Sequence, residues 1–466
     1  MENKQKRSSF TGSIGFVLAA AGSAVGLGNI WRFPYLAAKD GGGLFLLCYL
    51  ILALTFGFTL LTTEIAIGRK TKQSPLTAYK KLSRRFGWVG VLACMIPAII
   101  LPYYCVLGGW VLKYMTAYLT GGGAAAAADG YFTGFITSQW SPILWFLVYL
   151  AATVYVVYKG VDKGIEKLST VLMPVLVLLI MGIAVFSLTL SHTDAEGVTR
   201  TGLEGMKIYL IPSFKDMTAG RFVMVLMDAL GQLFYSISVA MGIMITYGSY
   251  VKQDMDLGKS VNQIEFFDTL VAFLAGMMIV PAVYTFMGTE GMSAGPSLMF
   301  ISLPKTFEAM GAIGGIVGVL FFVMVAFAAL TSSVSILEAV VSCAVDRLHI
   351  SRHKATAGVS VLTLVMGLIV CLGYNVFYFE LTLPNGSVGQ ILDVFDYVSN
   401  FVLMPVVAMS TCVMVGWVLG PKTIIDEVTI NGERFSREKL YIAMVKVVAP
   451  VLLLFLLLQS LGLFKL

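Results

Sequence analysis

Long apolar stretches separated by short polar connectors run through the whole chain. A membrane-spanning helix needs about 20 apolar residues, and eleven stretches reach or approach that length. They lie at residues 13–35, 43–68, 88–118, 142–158, 168–190, 222–250, 262–288, 314–343, 356–373, 389–419 and 441–464. The pattern predicts an all-α polytopic membrane protein with eleven transmembrane helices.

The first and the sixth of these runs are interrupted near their middle. The first contains Gly26-Leu27-Gly28-Asn29, and the sixth contains Ser236, Ser238, Ala240 and Gly242. Glycine inside a helix costs about 1 kcal/mol relative to alanine, and polar side chains in hydrocarbon need partners. Interruptions five spans apart predict an inverted-repeat transporter with a midplane site. Close packing of small residues is an alternative that explains one such run better than two.

A broken helix also offers specific chemistry. The N-terminus of each half-helix presents free N–H groups and a partial positive charge, which suit an anion. The carbonyl groups freed at the break suit a hard cation. An anion beside a cation describes an amino-acid carboxylate next to Na⁺.

Composition and charge agree with a membrane protein. Of the 466 residues, 58% are hydrophobic and 12% are charged, with a net charge of +6 and a mean hydropathy of +0.86. Seven lysines and arginines lie between residues 69 and 85, whereas the connector 119–141 has none. Together with the basic residues ahead of the first run, this asymmetry predicts a cytoplasmic N-terminus. The same connectors explain the net charge, so no nucleic-acid partner is expected.

Histidine and cysteine positions exclude other classes. The three histidines (192, 349 and 353) lie in polar connectors, so no span carries a histidine base for an intramembrane serine enzyme. We therefore expect that the protein is not an enzyme. The six cysteines lie in apolar runs, which predicts free thiols. No connector is long enough for a soluble domain, so residues 1–466 are expected to form one transmembrane domain. The sequence leaves the oligomeric state open.

Several motifs, in order along the chain, resemble those of the neurotransmitter:sodium symporter family, whose bacterial members have the LeuT fold. They are "GSAVGLGNIWRFPY" (22–35) followed by "GGG", "EIAIGR" (64–69), "PYY" (102–104), "GQLFYSIS" (231–238), "ITYGSY" (245–250), "ALTSS" (329–333) and "LDVFDY" (392–397). The resemblance implies a 5+5 inverted repeat with broken first and sixth helices. Repeat one covers about residues 10–190, repeat two about 221–419, and an additional helix about 440–464. It also implies a multi-pass protein of the cell membrane, in bacteria the inner membrane.

The resemblance implies two sodium sites. One uses carbonyl and hydroxyl oxygens of the first and eighth spans, at Gly22, Val25, Ala328, Thr331 and Ser332. The other uses the substrate carboxylate and oxygens of Ala24, Asn29, Ser236 and Asp268. Asp268 stands where asparagine is usual, if Gly276 anchors the alignment. A shift of one residue would place Phe267 there instead.

This aspartate bears on chloride. Animal relatives bind chloride near this sodium, and Tyr49, Gln232 and Ser236 match three of the four positions, whereas the fourth is Ala272. An ionised Asp268 would supply the negative charge that chloride otherwise provides. We therefore expect chloride independence. The alternative is a protonated Asp268 hydrogen-bonded within the bundle.

For the substrate, the resemblance implies that the N–H groups of Leu27 and Gly28 and the Tyr104 hydroxyl bind a carboxylate. Gly26 stands where monoamine carriers have an aspartate, which favours a zwitterion. Carbonyl groups near Ala24, Tyr235 and Ser236 would meet the amino group. The side-chain pocket is then lined by Ile100, Tyr104, Tyr235, Ser238, Met241, Ser332 and Ile336. This mostly apolar lining predicts a hydrophobic L-amino acid.

The same matching implies two gates. On the outside, Arg32 and Asp396 approach each other and pair through water, with Tyr104 and Tyr235 as a lid. On the inside, the latch consists of Arg7, Phe10, Tyr250 and Asp346, although Lys6 could replace Arg7. Glu64 resembles a carboxylate that accepts N–H groups from the broken helices, or else it is an interface anchor.

These features together predict sodium-coupled symport of a hydrophobic L-amino acid into the cell by alternating access. Two alternatives remain open. One is a proton-coupled or exchange-type transporter of the same fold. The other is an amino-acid sensor that binds without transporting.

Overall fold

A computed structural model describes residues 9–194, 196–215, 217–292 and 295–463, and these residues are mostly helical. The long helices, in chain order, are α1 Ser13–Ala24, α2 Leu27–Lys39, α3 Gly43–Thr71, α4 Arg84–Leu119, α5 Ser141–Tyr158, α6 Val161–Leu188, α7 Ala219–Ser236, α8 Ile243–Tyr250, α9 Leu257–Met287, α10 Ala312–Leu348, α11 Arg352–Leu372, α12 Ile391–Leu419 and α13 Glu438–Ser460.

Shorter elements fill the connectors. The short helices are Pro75–Leu82, Gly123–Ala127, Tyr131–Thr137, Gly202–Leu210, Thr289–Gly291, Leu298–Ser302 with Leu303–Ala309, and Lys422–Val428. Two small antiparallel hairpins pair β1 (Ser191–Thr193) with β2 (Thr199–Thr201) and β3 (Leu381–Thr382) with β4 (Val388–Gly389). The first hairpin and the helix after it lie in the long polar connector before α7.

Nine continuous helices in the described residues are long and apolar enough to cross a membrane, and the bent pair of α1 and α2 makes a tenth. The predicted sixth run is divided between α7 and α8, which are separated by residues 237–242. Neither half spans a bilayer by itself, since α7 carries charged residues and α8 has only 8 residues. The count of eleven spans therefore stays a prediction.

Both predicted breaks are present, and each has a local cause. Between α1 and α2, Val25 and Gly26 are extended, and the two helices bend by 55°. Between α7 and α8, Ser238 (φ 54°) and Ala240 (φ 62°) adopt left-handed backbone conformations. Such conformations cost a residue with a side chain about 1–3 kcal/mol each. The surrounding contacts must hold this backbone in place.

The inner half of the bundle packs backbone against backbone where α3 meets α8. A Cβ atom added to Gly68 would lie 2.1 Å from the Ile245 carbonyl oxygen, and one on Gly248 would lie 2.3 Å from the Ile65 oxygen. These two glycines therefore let α8 lie directly on α3. The six cysteines are free, as predicted.

A buried ion pair anchors the inner end of α3. Arg69 is fully buried and donates from Nε to the Glu427 carboxylate at 2.8 Å and from Nη1 to the Met255 carbonyl oxygen at 2.6 Å. Lys70 approaches the other Glu427 oxygen at 3.8 Å but is partly exposed. Arg69 thus joins α3 to the helix Lys422–Val428 and to the segment before α9.

Arg69→Ala is expected to lower the free energy of unfolding by about 3–5 kcal/mol, because it leaves the Glu427 carboxylate buried and without its main partner. Lys70→Ala is the matched control, since it contacts the same carboxylate from a partly exposed position, where ion pairs contribute about 0–1 kcal/mol. Thermal and denaturant unfolding of the detergent-purified protein measures both. Equal losses for the two variants would contradict the assignment.

Candidate functional site

A cavity lies where the two helix breaks face each other. It is small, about 30 Å³, and is lined by residues of α1, α2, α4, α7, α10 and both breaks: Ser23, Ala24, Gly26, Leu27, Gly28, Asn29, Ile100, Tyr104, Tyr235, Ser236, Ser238, Met241, Ser332 and Ile336. The structure brings together all twelve residues predicted for the substrate. Ser23 and Asn29 are additional lining residues.

The cavity has both polar and apolar lining. The Leu27 N–H points at the Tyr104 hydroxyl oxygen, 3.4 Å away. Ile100, Met241 and Ile336 supply apolar surface. A Cβ atom on Gly26 would lie 3.1 Å from both the Ser332 and the Tyr104 hydroxyl oxygens. Any larger residue at position 26 would therefore enter the cavity.

The two breaks are bonded directly to each other. The Ser238 hydroxyl donates to the Ser23 carbonyl oxygen at 2.9 Å, and the hydroxyl oxygens of the two serines are 3.1 Å apart. Ser23 precedes the first break and Ser238 lies in the second. The two unwound segments therefore satisfy part of each other's hydrogen-bonding requirement in a region without bulk water.

Glu64 of α3 satisfies another of these groups. Its Oε1 accepts the Ala240 N–H at 2.6 Å, and its side chain is 2% exposed. Its Oε2 has no hydrogen-bond partner among the described residues. Such burial fits the expected contact with a broken helix and excludes a simple interface anchor.

Asp268 accepts three side-chain hydrogen bonds. The donors are Asn29 Nδ2 at 2.9 Å, the Ser236 hydroxyl at 2.7 Å and the Tyr49 hydroxyl at 3.2 Å. Asn29 also donates to Ser236 Oγ at 2.9 Å. The carboxylate on α9 therefore contacts α2, α3 and α7. Asp268, rather than Phe267, faces the break, which settles the register that the sequence left open.

Gln232 lies one turn before Ser236 and bonds to the first break. Its Nε2 donates to the Gly28 carbonyl oxygen at 3.2 Å. Its Oε1 is buried and has no partner among the described residues. The side chains that match a chloride site thus lie close together here, but the Tyr49 and Ser236 hydroxyls already donate to Asp268.

A second group of oxygens lies between α1 and α10. The Ser332 hydroxyl lies 3.1 Å from the Val25 carbonyl oxygen and 3.4 Å from the Gly22 oxygen. Thr331 donates to the Ala328 carbonyl oxygen at 3.1 Å. Four of the five residues predicted for one sodium site, Gly22, Val25, Thr331 and Ser332, therefore lie at this contact, and Ala328 lies one turn before Thr331 on α10. Their oxygen atoms are all uncharged.

On the predicted outer side, a wider cavity of about 380 Å³ is lined by Arg32, Tyr235, Asn400 and Phe401, among others. Tyr235 lines both cavities, so its ring stands between them. The Arg32 guanidinium lies 5.6 Å from the Phe401 ring centre.

Asp396 instead accepts bonds from Tyr103 at 3.1 Å and Asn400 at 2.6 Å. Within the described residues, Arg32 and Asp396 form no direct ion pair. Their pairing through water stays a prediction.

Ion pairs also connect the outer ends of the two broken helices. Lys39 at the end of α2 donates to Asp228 of α7 at 2.9 Å. Arg221 of α7 donates to Asp40 at 3.0 Å. The outer half-helices α2 and α7 are therefore linked at two points above the cavity.

The inner side is closed by packed aromatic rings. Phe10 is fully buried, its N–H donates to the Tyr250 carbonyl oxygen at 3.2 Å, and its ring contacts Phe16 and Tyr247. Asp346 accepts the Ser74 N–H at 2.6 Å. The predicted member Arg7 lies outside the described residues.

Sequence reasoning missed two members of this inner cluster. Glu338 of α10 is fully buried, accepts the Tyr250 hydroxyl at 2.7 Å, and is bound by Arg352 through both carboxylate oxygens. Arg352 also donates to the Val157 carbonyl oxygen at 3.0 Å. A glutamate inside an apolar run was the available signal, because a charge there needs a partner.

The paired helix breaks around one enclosed cavity define a membrane transporter. Comparison with known proteins identifies its family. The sequence profile of the sodium:neurotransmitter symporter family matches residues 7–127 and 136–465. The chain therefore belongs to this family and is a sodium-dependent symporter, not an enzyme. The predicted family and multi-pass membrane location are confirmed.

The similarity to known proteins extends over nearly the full chain. The uncharacterized sodium-dependent transporter YhdH of Bacillus subtilis is 33% identical over 99% of both chains. The sodium- and chloride-dependent GABA transporter 2 of Homo sapiens is 28% identical over 92% of this chain and 76% of its own. The crystal structure of MhsT in complex with L-phenylalanine is 33% identical, has a TM-score of 0.85, and covers 98% of this chain and 100% of that one. The predicted LeuT fold is thus confirmed.

Glu338→Gln is expected to loosen the inner side, because it removes the charge that Arg352 and Tyr250 share. The probe is Ser335→Cys in a variant that lacks the six native cysteines. When Glu338→Gln is added to this variant, the probe should react several-fold faster with a maleimide added from the cytoplasmic side. Lys354→Gln, an exposed change on the same helix as Arg352, is the control. Equal labelling rates with Glu338→Gln, with Lys354→Gln and with neither change would rule out a latch at Glu338.

Proposed function

We propose that the protein couples the entry of Na⁺ to the uptake of a hydrophobic L-amino acid, without a requirement for chloride. The observation that carries this proposal is the cavity at the paired breaks, whose lining combines the Leu27 N–H and the Tyr104 hydroxyl with the apolar side chains of Ile100, Met241 and Ile336. An α-amino acid needs both kinds of surface, one for its charged groups and one for its side chain.

The lining of the cavity supports an amino acid rather than a monoamine. Gly26 adds no negative charge beside Tyr104 and Ser332, whose hydroxyl oxygens lie closest to it. The carboxylate would accept from the N-terminus of α2, where N–H groups and the helix dipole favour an anion. Ile100, Met241 and Ile336 would surround the side chain, and Met241 adapts to different shapes. The L-phenylalanine bound to MhsT agrees with this substrate class.

The oxygens around Ser332 fit one sodium ion. Na⁺ prefers several hard oxygen ligands. The Ser332 hydroxyl lies within 3.4 Å of the Gly22 and Val25 carbonyl oxygens, and Thr331 and Ala328 offer a hydroxyl and a carbonyl oxygen nearby on α10. The hydroxyl hydrogens now satisfy the carbonyl oxygens. An ion at this position would take over that role and allow the Thr331 and Ser332 oxygens to face it.

The group around Asp268 fits the second sodium ion. The Asn29 amide N–H₂ lies between the Ser236 and Asp268 oxygens, where it supplies positive charge to both. The Asn29 amide oxygen accepts the Gly26 N–H at 3.1 Å. Rotation of the amide would turn its oxygen toward an ion at Asp268. The substrate carboxylate would complete the coordination, so that each ligand favours binding of the other.

The same geometry supports the proposed chloride independence. The Tyr49 and Ser236 hydroxyls, which chloride would need as donors, already bind the Asp268 carboxylate. A resident anion makes a second anion unfavourable at this position. The alternative of a protonated Asp268 would leave room for chloride and predicts the opposite ion dependence.

Two other functions remain to be separated by experiment. In a proton-coupled transporter or exchanger, a pH gradient without Na⁺ would drive uptake. In a sensor, amino acid and Na⁺ would bind together but no accumulation would follow. Uptake into proteoliposomes under a Na⁺ gradient, a pH gradient, or neither distinguishes these three cases.

The central test combines binding with uptake by the purified protein. Thermal unfolding is measured with each of the twenty amino acids, with Na⁺ or with choline as the cation. We expect hydrophobic amino acids to raise the unfolding temperature only in Na⁺, with about 2.7 kcal/mol of stabilisation at a hundred-fold excess over Kd. Stabilisation by charged or small polar amino acids alone would overturn the substrate class.

Tyr104→Phe removes the hydroxyl assigned to the substrate carboxylate. A hydrogen bond to a charged group contributes about 1.5–3 kcal/mol, so the Kd of the amino acid should rise ten-fold or more. Tyr114→Phe is the matched control, because its hydroxyl lies on the same helix but binds the Phe300 carbonyl oxygen. Equal Kd values for Tyr104→Phe and the wild type would remove Tyr104 from the site.

Replacing chloride with gluconate should leave sodium-driven uptake unchanged. Asp268→Asn should lower uptake at least ten-fold in gluconate, and chloride should restore part of it, because the Tyr49 and Ser236 hydroxyls are then free to bind an anion. Asp256→Asn, at the start of the same helix, is the control. Loss of wild-type uptake in gluconate would show that Asp268 does not replace chloride.

A further inference from the structure

Three polar residues lie along one side of α9, between its inner end and the level of the cavity. They are Asn262, Glu265 and Asp268, spaced three residues apart, which places them on adjacent turns of the helix. Asn262 is exposed, whereas Glu265 and Asp268 are 5% and 1% exposed. A buried acidic side chain thus lies one turn below the carboxylate that holds Asn29 and Ser236.

Glu265 is paired with Arg437, which immediately precedes α13. Arg437 Nη2 donates to Glu265 Oε2 at 3.2 Å and also to Asn262 Oδ1. Glu265 Oε1 is buried and has no hydrogen-bond partner among the described residues. The charged groups that face Glu265 are Arg437 and Asp268. Arg437 therefore supplies the positive charge beside this carboxylate.

Arg437 also binds α3 at an irregular turn. Residues Ala53–Gly57 form a π turn, and Arg437 Nη1 donates to the Leu54 carbonyl oxygen at 2.8 Å. The guanidinium carbon lies 3.6 Å from the Phe58 ring centre, a close cation–π contact. Tyr441, one turn further along α13, adds a hydroxyl contact to Thr63 of α3 at 2.9 Å.

Arg437 contacts α3 and α9, and these two helices also carry the donor and the acceptor of one hydrogen bond. Tyr49, five residues before Leu54 on α3, donates to Asp268, three residues after Glu265 on α9. A planar guanidinium with several donors can hold two backbones at a fixed separation. Arg437 thus bridges the two helices that carry Tyr49 and Asp268.

We propose that Arg437 is a positioning residue for the sodium site at Asp268, and that through it the last span influences sodium binding. The inference rests on the proposed sodium site. Arg437 fixes α3 against α9, and Glu265 transmits this contact one turn up the helix to Asp268. Groups that orient metal ligands typically change metal affinity by about 10–100-fold when they are removed.

The test is a Na⁺ titration of thermal unfolding on the purified full chain, with choline keeping the ionic strength constant. Some of the stabilisation by Na⁺ is lost in Asp268→Ala, and this part is assigned to the site at Asp268. The Na⁺ midpoint is the Na⁺ concentration that gives half of this part. Arg437→Gln should raise the Na⁺ midpoint by about ten-fold. Arg437→Lys should give a smaller rise, since an ammonium group keeps the positive charge but lacks the planar set of donors that Arg437 places between the two helices. Arg434→Gln, exposed on the same connector, should give none.

A double-mutant cycle separates positioning from general destabilisation. Glu265→Gln should also raise the Na⁺ midpoint, and Arg437→Gln with Glu265→Gln should raise it no further than Arg437→Gln alone, because one contact is lost in both. An unchanged Na⁺ midpoint in Arg437→Gln, despite a lower unfolding temperature without Na⁺, would overturn the inference. If Arg437→Gln does not fold, an unchanged midpoint in both Arg437→Lys and Glu265→Gln would overturn it. If Asp268→Ala keeps the full sodium response, the proposed sodium site itself fails.

Discussion

The hydrogen-bonding requirement of two unwound segments inside a membrane governs the rest of this structure. A continuous helix satisfies its own backbone, but residues 25–26 and 237–242 cannot. Their partners come from elsewhere: Ser238 from the other break, Glu64 from α3, and Asn29 from within α2. Groups that remain available at these segments are the ones that can bind a substrate or an ion.

Asp268 adds a carboxylate to these backbone contacts. It receives bonds from Asn29 on α2 and Ser236 on α7, so one carboxylate contacts both broken helices. Tyr49 holds it from α3. Any change in the charge beside Asp268 therefore acts on both breaks at once. This geometry gives a physical route by which ion binding can bias two helices together.

Local sequence was sufficient for the features that depend on local chemistry. The two breaks could be predicted from the residues themselves. The twelve cavity residues and the oxygens near Ser332 were predicted through the family resemblance, which short motifs carry. Contacts made by long side chains across the bundle could not be predicted. Glu338 with Arg352, and Arg437 with Glu265, join residues from separate helices, and the rotamers and packing that unite them have no local signature. The register of Asp268 needed the structure for the same reason.

Both sides of the cavity are held by an arginine bound to a buried carboxylate. On the outer side, Arg221 of α7 binds Asp40, which is buried, and Lys39 pairs with Asp228 in a more exposed position. On the inner side, Arg352 binds Glu338, which is also buried. Separating a buried carboxylate from its partner costs more than separating an exposed pair. Opening either side therefore requires a compensating free energy, and binding at the breaks is where that energy can be supplied.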